Sequence, residues 1–156
     1  MKNLWNKNQF ILILLLIFST FSCGFNSGFY PKFSISVPSY KAGAHDNACI
    51  LGGVFFDFYN KAGVEVSSIE VRMNVYNKKN NQPAFPGIGT ITAKIKQPVP
   101  GFQKKSFCIS LDEYITVASD LMVDHFYVSR VNYKDGSEWK DYFGFYSQSE
   151  EWLWKI

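Results

Sequence analysis

Few residues of this 156-residue chain could carry chemistry: three cysteines, two histidines and 13 carboxylates. The cysteines are Cys23, Cys49 and Cys108. Cysteines of a protein exported to an oxidising compartment pair as disulfides, so an odd number leaves one thiol to be explained. Cys23 stands apart from the other two, because an apolar N-terminal stretch ends at it and a polar, glycine-bearing stretch begins.

The histidines do not lie in a motif known for catalysis or metal binding. His45 is next to Asp46 and four residues before Cys49, but no second Cys or His follows at a structural zinc spacing. His125 follows Asp124, and neighbouring residues of a strand face opposite ways. That second pair therefore needs a β-bulge before its side chains can act together.

The carboxylates give no stronger sign of catalysis. The neighbours Asp112 and Glu113 do not show the pair facing across about 5 to 10 Å that glycoside hydrolysis requires. The sequence also lacks a Gly-x-Ser-x-Gly elbow, a His-Glu-x-x-His helix and a phosphate-binding glycine loop. We therefore predict a protein that is not an enzyme and holds no cofactor or metal. A small secreted hydrolase is the alternative.

Residues 1–22 have the organisation of a secretory signal peptide. Lys2 and Lys7 give a positive start, residues 10–18 form the apolar run FILILLLIF, and the short polar stretch STFS follows. The alternative is a transmembrane anchor, but this run is well short of the about 20 apolar residues that span a bilayer. We expect the chain to be exported.

The end of that segment, Thr20-Phe21-Ser22-Cys23, resembles the lipobox of bacterial lipoproteins. Ser22 and Cys23 match the pattern, Thr20 stands where Leu is typical, and Phe21 is bulkier than the usual residue. The resemblance implies that Cys23 receives diacylglycerol and becomes the first residue of the mature chain. Gly24, rather than Asp, implies sorting to the outer membrane or cell surface. The alternative is ordinary cleavage near Ser22 or Gly24, which releases a soluble protein.

The chain after the signal is nearly neutral and rich in aromatic residues. Removing Lys2 and Lys7 from the 16 basic residues leaves 14 against 13 acidic ones, a net charge of +1. Such a charge gives no electrostatic reason to expect a nucleic-acid partner. We predict a flexible tether over residues 23–32 and one domain over residues 33–156, whose aromatic content favours β-strands.

Seven segments of the predicted domain have strand-like patterns separated by turn signals. The clearest is SIEVRMNVYN, where every second residue from Ile69 to Val75 is apolar. Asp135-Gly136 marks a tight hairpin between the last two segments. At most a turn or two of helix is expected, within residues 111–126. This pattern predicts an all-β, antiparallel sandwich of immunoglobulin-like or fibronectin-III-like type, with a closed barrel as the alternative. The seven segments are residues 32–40, 49–60, 68–77, 90–97, 105–112, 123–133 and 138–148.

The two cysteines of the domain fall in its second and fifth predicted strands. In an immunoglobulin-type sandwich these strands are antiparallel neighbours in one sheet. Alternation places both Cys49 and Cys108 on the face that points away from the core, where they can be bridged. If Cys23 carries lipid, these two are the natural disulfide pair. A bulge at Gly52-Gly53 would turn Cys49 to the other face, and two isolated thiols are the alternative.

Aromatic residues offer a candidate binding surface. Tyr127, Tyr133, Trp139 and Tyr142 cluster around the last predicted hairpin, where they could bind a protein or a carbohydrate. The alternative is ordinary packing between neighbouring strands. Further aromatic residues on predicted solvent faces are Phe55, Tyr59 and Tyr76. We expect a lipoprotein held to an envelope membrane, with a non-catalytic binding or structural domain; a soluble secreted binding module is the alternative.

Overall fold

The computed structural model describes residues 30–43, 49–117 and 119–146. The predicted signal peptide, Cys23 and most of the predicted tether lie outside these residues, as do the pair His45 and Asp46 and residues 147–156. Among the residues described, no helix has the length and apolar character needed to cross a membrane.

The described chain is built from antiparallel β-strands. It contains no helix, and the segment with helical potential forms a single turn in which Ile115 N–H donates to Leu111 C=O at 3.1 Å. Eight strands follow one another: β1 Phe33–Ile35, β2 Ser39–Ala42, β3 Gly52–Asn60, β4 Val66–Asn77, β5 Ile91–Ile95, β6 Lys104–Ser110, β7 Leu121–Tyr133 and β8 Glu138–Lys140.

The strands form two four-stranded sheets. In the first sheet, β3 pairs with β6 along one edge and with both β1 and β2 along the other. The second sheet has the order β5-β4-β7-β8, and all its pairs are antiparallel. The apolar faces of the two sheets share one core, which gives the sandwich arrangement expected from the sequence.

The core confirms the clearest strand pattern in the sequence. Ile69, Val71 and Met73 of β4 are fully buried and Val75 is nearly so, while the residues between them are only half-buried. Facing them across the core are aromatic side chains of the first sheet, including Phe58. Other core residues are Val54, Phe56, Phe107, Ile109, Val128 and Val131.

The first predicted strand is broken in two at Pro38. β1 pairs with the end of β3 near Asn60, and β2 pairs with the beginning of β3 near Gly52. Pro38 cannot donate a hydrogen bond to a neighbouring strand, so regular pairing stops there. Val37 is exposed, although alternation along the predicted strand 32–40 would place it on the same face as the buried Phe33.

β7 changes face through irregularities in its pairing with β4. His125 and Phe126 oppose the single residue Met73, and His125 has a φ of +48°. Phe126 is thereby turned inward, where its ring lies 4.9 Å from the ring of Phe56. Tyr127, the next residue, faces outward.

The last predicted strand is much shorter than expected. β8 ends at Lys140, although the sequence predicted a strand over residues 138–148. Gly144, within the predicted strand, lies instead in a loop after β8 with a φ of +77°. The reason is the side chain of Asp141, which binds the backbone of that loop.

Candidate functional site

Cys49 and Cys108 form the disulfide that the sequence indicated. β3 and β6 are neighbours, and Phe107 and Ile109 on either side of Cys108 are buried in the core. Cys108 therefore points away from the core, and the bond lies on the outer face of the first sheet. It joins residues 59 positions apart in the chain.

Gly53 provides the room that the disulfide needs. A Cβ on Gly53 would lie 2.6 Å from the Sγ of Cys49 and 2.7 Å from the Sγ of Cys108. The sequence left open a bulge at Gly52-Gly53, but both glycines belong to the regular pairing of β3 with β2. Position 53 requires glycine because the two sulfur atoms lie too close to its backbone to leave room for any side chain.

Asp112 organises the backbone beside this bridge. Its carboxylate accepts N–H hydrogen bonds from Ile50 at 2.7 Å, Leu51 at 2.8 Å and Gly52 at 3.2 Å. The hydrogen bond from Ile50 is the main cause of an Asp112 pKa below its ordinary value, and those from Leu51 and Gly52 add to it. Asp112 is thus occupied by backbone groups, while Glu113 is exposed.

The pair Asp124 and His125 meets the condition set from the sequence, since a bulge does lie at His125. The carboxylate of Asp124 nevertheless accepts its hydrogen bond, at 2.8 Å, from the backbone N–H of His125. Both residues are exposed. Among residues 30–43, 49–117 and 119–146, His, Cys, Asp and Glu form no group of three placed to hold a metal ion.

The four aromatic residues nominated from the sequence do not form one flat surface. Trp139 pairs with Val131 and is only 7% exposed, because its ring packs edge-on against Phe33 at 4.9 Å. Tyr133 packs partly against the core. Tyr127 and Tyr142 lie together instead, where the Tyr127 hydroxyl donates to the backbone carbonyl of Tyr142 at 3.1 Å.

The loop that follows β8 presents aromatic rings to solvent. We name residues 142–146 the aromatic loop; Phe143 is 75% exposed and Phe145 73%, and their ring centroids lie 5.8 Å apart. Tyr142 and Tyr146 flank them and are also exposed. Single exposed apolar residues are ordinary, but a contiguous group of exposed apolar rings is typical of a surface that contacts another molecule.

Asp141 holds the aromatic loop in one conformation. The residue is only 4% exposed. Its carboxylate accepts N–H hydrogen bonds from Phe143 at 3.2 Å, Gly144 at 2.9 Å and Tyr146 at 2.8 Å. The N–H of Asp141 donates to Ser129 C=O at 2.9 Å, which ties the start of the loop to β7. The rings are therefore presented by a backbone that is fixed before any partner arrives.

Tyr142 was predicted from the sequence to belong to a binding surface, but Phe143, Phe145 and Tyr146 were not. These three residues fall within the last predicted strand, residues 138–148. The local signal was an aspartate followed three residues later by glycine, a spacing typical of a turn closed by a carboxylate.

A cavity of about 240 Å³ lies at the end of the sandwich where the β7–β8 hairpin turns. We name it the hairpin cavity. Three parts of the chain line it: the stretch before β1, the turn between β3 and β4, and the hairpin itself. Its apolar wall consists of Tyr30, Ala62, Val64, Tyr133 and Trp139.

The outer face of the first sheet carries a second group of aromatic residues. Phe55 is half-buried, with the Lys41 Nζ 4.8 Å from its ring centroid, and Tyr59 is exposed. Between them Asp57 accepts a hydrogen bond from the Ser106 hydroxyl at 2.6 Å and pairs with Lys104. The Lys41 ammonium group and the Asp57–Lys104 ion pair therefore lie among the aromatic rings of this face. Tyr76, on the other sheet, is half-buried.

Comparison of the chain with models of known protein families gives no match, and comparisons with curated proteins and with solved structures give none at the level of significance applied. The function has to be argued from the site itself.

Proposed function

We propose that this protein is a bacterial lipoprotein whose immunoglobulin-like domain binds another protein of the cell envelope through the aromatic loop. The single observation that carries the proposal is the arrangement of four exposed aromatic side chains on a backbone fixed by the buried carboxylate of Asp141. Aromatic residues supply much of the energy of protein interfaces, and a rigid loop loses little conformational entropy on binding.

The strand order supports an immunoglobulin-like or fibronectin-III-like domain. Taken as one interrupted strand, β1 and β2 lie beside β3, which lies beside β6; this matches the A-B-E order of such domains, and β4-β7-β8 matches C-F-G. In immunoglobulin constant domains the fourth strand, D, joins the A-B-E sheet. Here the corresponding strand is β5, which pairs with β4 of the second sheet instead. That difference favours the fibronectin-III-like variant of the sandwich.

The envelope location is supported by two features. The Cys49–Cys108 disulfide fits an oxidising compartment. That pairing also leaves Cys23, at the end of the lipobox-like sequence, as the remaining thiol available for acylation. The tether from residue 23 then leads to the start of β1, so the domain is held close to the membrane surface.

The binding proposal is tested by site-specific photocrosslinking in native host cells. A photoreactive phenylalanine analogue replaces Phe143 in one variant and the exposed Val117 in a matched control. We expect a discrete crosslinked species of higher mass from position 143 and none from position 117. No such species, or a crosslink only to residues 147–156 of the same chain, would contradict a protein partner at this loop.

The anchor is tested separately by metabolic labelling with a radioactive fatty acid. We expect label in the wild-type protein and none in Cys23→Ala. Equal labelling of both proteins, or labelling of neither, would exclude lipid attachment at Cys23 without bearing on the aromatic loop.

A further inference from the structure

The hairpin cavity lies at the turn between β7 and β8 and shares no lining residue with the aromatic loop. Its lining includes three aromatic side chains: the buried Trp139, the half-buried Tyr133 and the 76%-exposed Tyr30. Its volume of about 240 Å³ falls just below the range of about 300 to 1,000 Å³ typical of drug-sized ligands. A ligand of one ring suits this volume.

The walls of the cavity are fixed by hydrogen bonds within the protein. Asp135 accepts the Ser137 N–H at 2.9 Å and the Ser137 hydroxyl at 2.7 Å, which closes the hairpin turn. On the opposite side, the buried Asn60 accepts the Ala62 N–H at 3.0 Å and donates to Val64 C=O at 2.9 Å. The cavity is therefore formed without a ligand, as small-molecule sites usually are.

Charged groups of both signs line the rim. Lys32 supplies a donor, and the carboxylates of Asp135 and Glu138 supply acceptors. The pKa of Asp135 is lowered mainly by its hydrogen bonds from Ser137, and that of Glu138 by its hydrogen bond from Lys140, so both groups are ionised at neutral pH. The Tyr133 hydroxyl stays protonated, because burial raises its pKa.

This combination discriminates among classes of ligand. The Lys140 ammonium group pairs with Glu138, so Lys32 and Lys140 balance the two carboxylates, and the rim has no net charge that would favour an organic cation or an anion. A neutral polyol can donate to the carboxylates and accept from Lys32, and a sugar ring in addition has an apolar face of C–H groups that can pack on aromatic rings. We infer that the hairpin cavity is a binding site for a single neutral pyranose ring.

The test is a nuclear magnetic resonance titration of the protein recovered from cells that express the full chain. The probes are methyl glycosides of glucose, mannose, galactose and N-acetylglucosamine, with tetramethylammonium and inorganic phosphate as charged probes. We expect at least one glycoside to shift the Trp139 indole N–H and the Tyr133 ring resonances saturably. Neither charged probe is expected to do so.

Two variants decide whether the shifts report this site. Tyr30→Ala removes an exposed ring that the fold does not require, and Glu138→Gln keeps the shape of the rim but removes one charge. Each is expected to weaken the affinity by about tenfold, which corresponds to about 1.4 kcal/mol. Tyr142→Ala, which removes a ring of the aromatic loop, serves as the control and is expected to leave the affinity unchanged.

Three results would overturn the inference. One is the absence of saturable shifts with every glycoside. Another is binding of tetramethylammonium or phosphate at the same resonances. The third is a glycoside affinity that survives both cavity variants or falls in Tyr142→Ala. None of these results bears on the photocrosslinking at Phe143, because the two sites share no residue.

Discussion

Gly144 lies directly against the ring of Tyr127: a Cβ on Gly144 would be 2.8 Å from the Tyr127 Cγ and 2.9 Å from its Cδ1. Gly144 also has a φ of +77°, a conformation that disfavours any residue with a side chain. Two separate physical effects therefore require glycine at this point of the aromatic loop, and a second glycine of the chain allows them to be separated.

We predict that Gly144→Ala destabilises the protein more than Gly136→Ala. Gly136 has a φ of +86° but nothing within 4 Å of its missing Cβ, so its substitution reports backbone strain alone, about 1 to 2 kcal/mol. Gly144→Ala adds the clash with Tyr127, worth about another 1 to 3 kcal/mol. Urea unfolding of both variants measures the difference, and equal losses would show that Tyr127 does not confine the loop.

We predict that replacing Asp141 destabilises the protein far more than replacing an exposed aspartate. Asp141→Ala removes the acceptor of three backbone N–H groups, and we expect a loss of about 3 kcal/mol in the free energy of unfolding. Faster hydrogen exchange at Phe143, Gly144 and Tyr146 should accompany it. Asp124→Ala is the control, since that exposed carboxylate accepts one N–H. Unchanged exchange in Asp141→Ala would refute the role of the carboxylate.

The disulfide and Gly53 should be energetically coupled. In the oxidised protein Gly53→Ala forces a Cβ against both sulfur atoms, and we expect a cost of about 2 kcal/mol. When Cys49 and Cys108 are both replaced by Ala, most of that cost should disappear. A double-mutant cycle by urea unfolding gives the coupling energy. Equal costs of Gly53→Ala in the two backgrounds would show that the bridge does not lie over this glycine.

Asp112 should make stability depend on acid pH. Its pKa is lower in the folded protein than the unfolded value of about 3.9, so its contribution is complete above that value and is lost as the pH falls through the folded pKa. We expect Asp112→Asn to be less stable than wild type at pH 7 and the gap to shrink below about pH 4. Asp120→Asn, which removes only an exposed ion pair with Lys78, is the matched control. A gap independent of pH would contradict the linkage.

The sequence predicted those features that local patterns determine. The dry face of β4 follows from strict alternation, and the left-handed Gly136 of the last hairpin follows from the Asp-Gly pair. The disulfide followed from cysteine number combined with the expected order of strands. Each of these depends on a few neighbouring residues or on one assumption about topology.

What the sequence missed depends on contacts between distant segments or on a single side chain overriding a pattern. The hairpin cavity joins Tyr30, Val64 and Trp139, and no local pattern relates them. The sequence predicted a strand that continues past Lys140 to residue 148, but the carboxylate of Asp141 accepts hydrogen bonds from backbone N–H groups of this segment instead. Trp139 was nominated for an exposed surface because the pattern could not show that Phe33 would cover it.

The break at Pro38 also bears on how this domain behaves at high concentration. A sheet edge with an unbroken row of free N–H and C=O groups can template the addition of strands from other molecules. Here that edge consists of one strand of 3 residues and another of 4, separated by residues 36–38, of which Pro38 has no N–H. On the opposite edge, β6 begins with Lys104 and Lys105, whose charges oppose stacking of like copies. The first sheet is thus protected against fibril-like self-association at both of its margins.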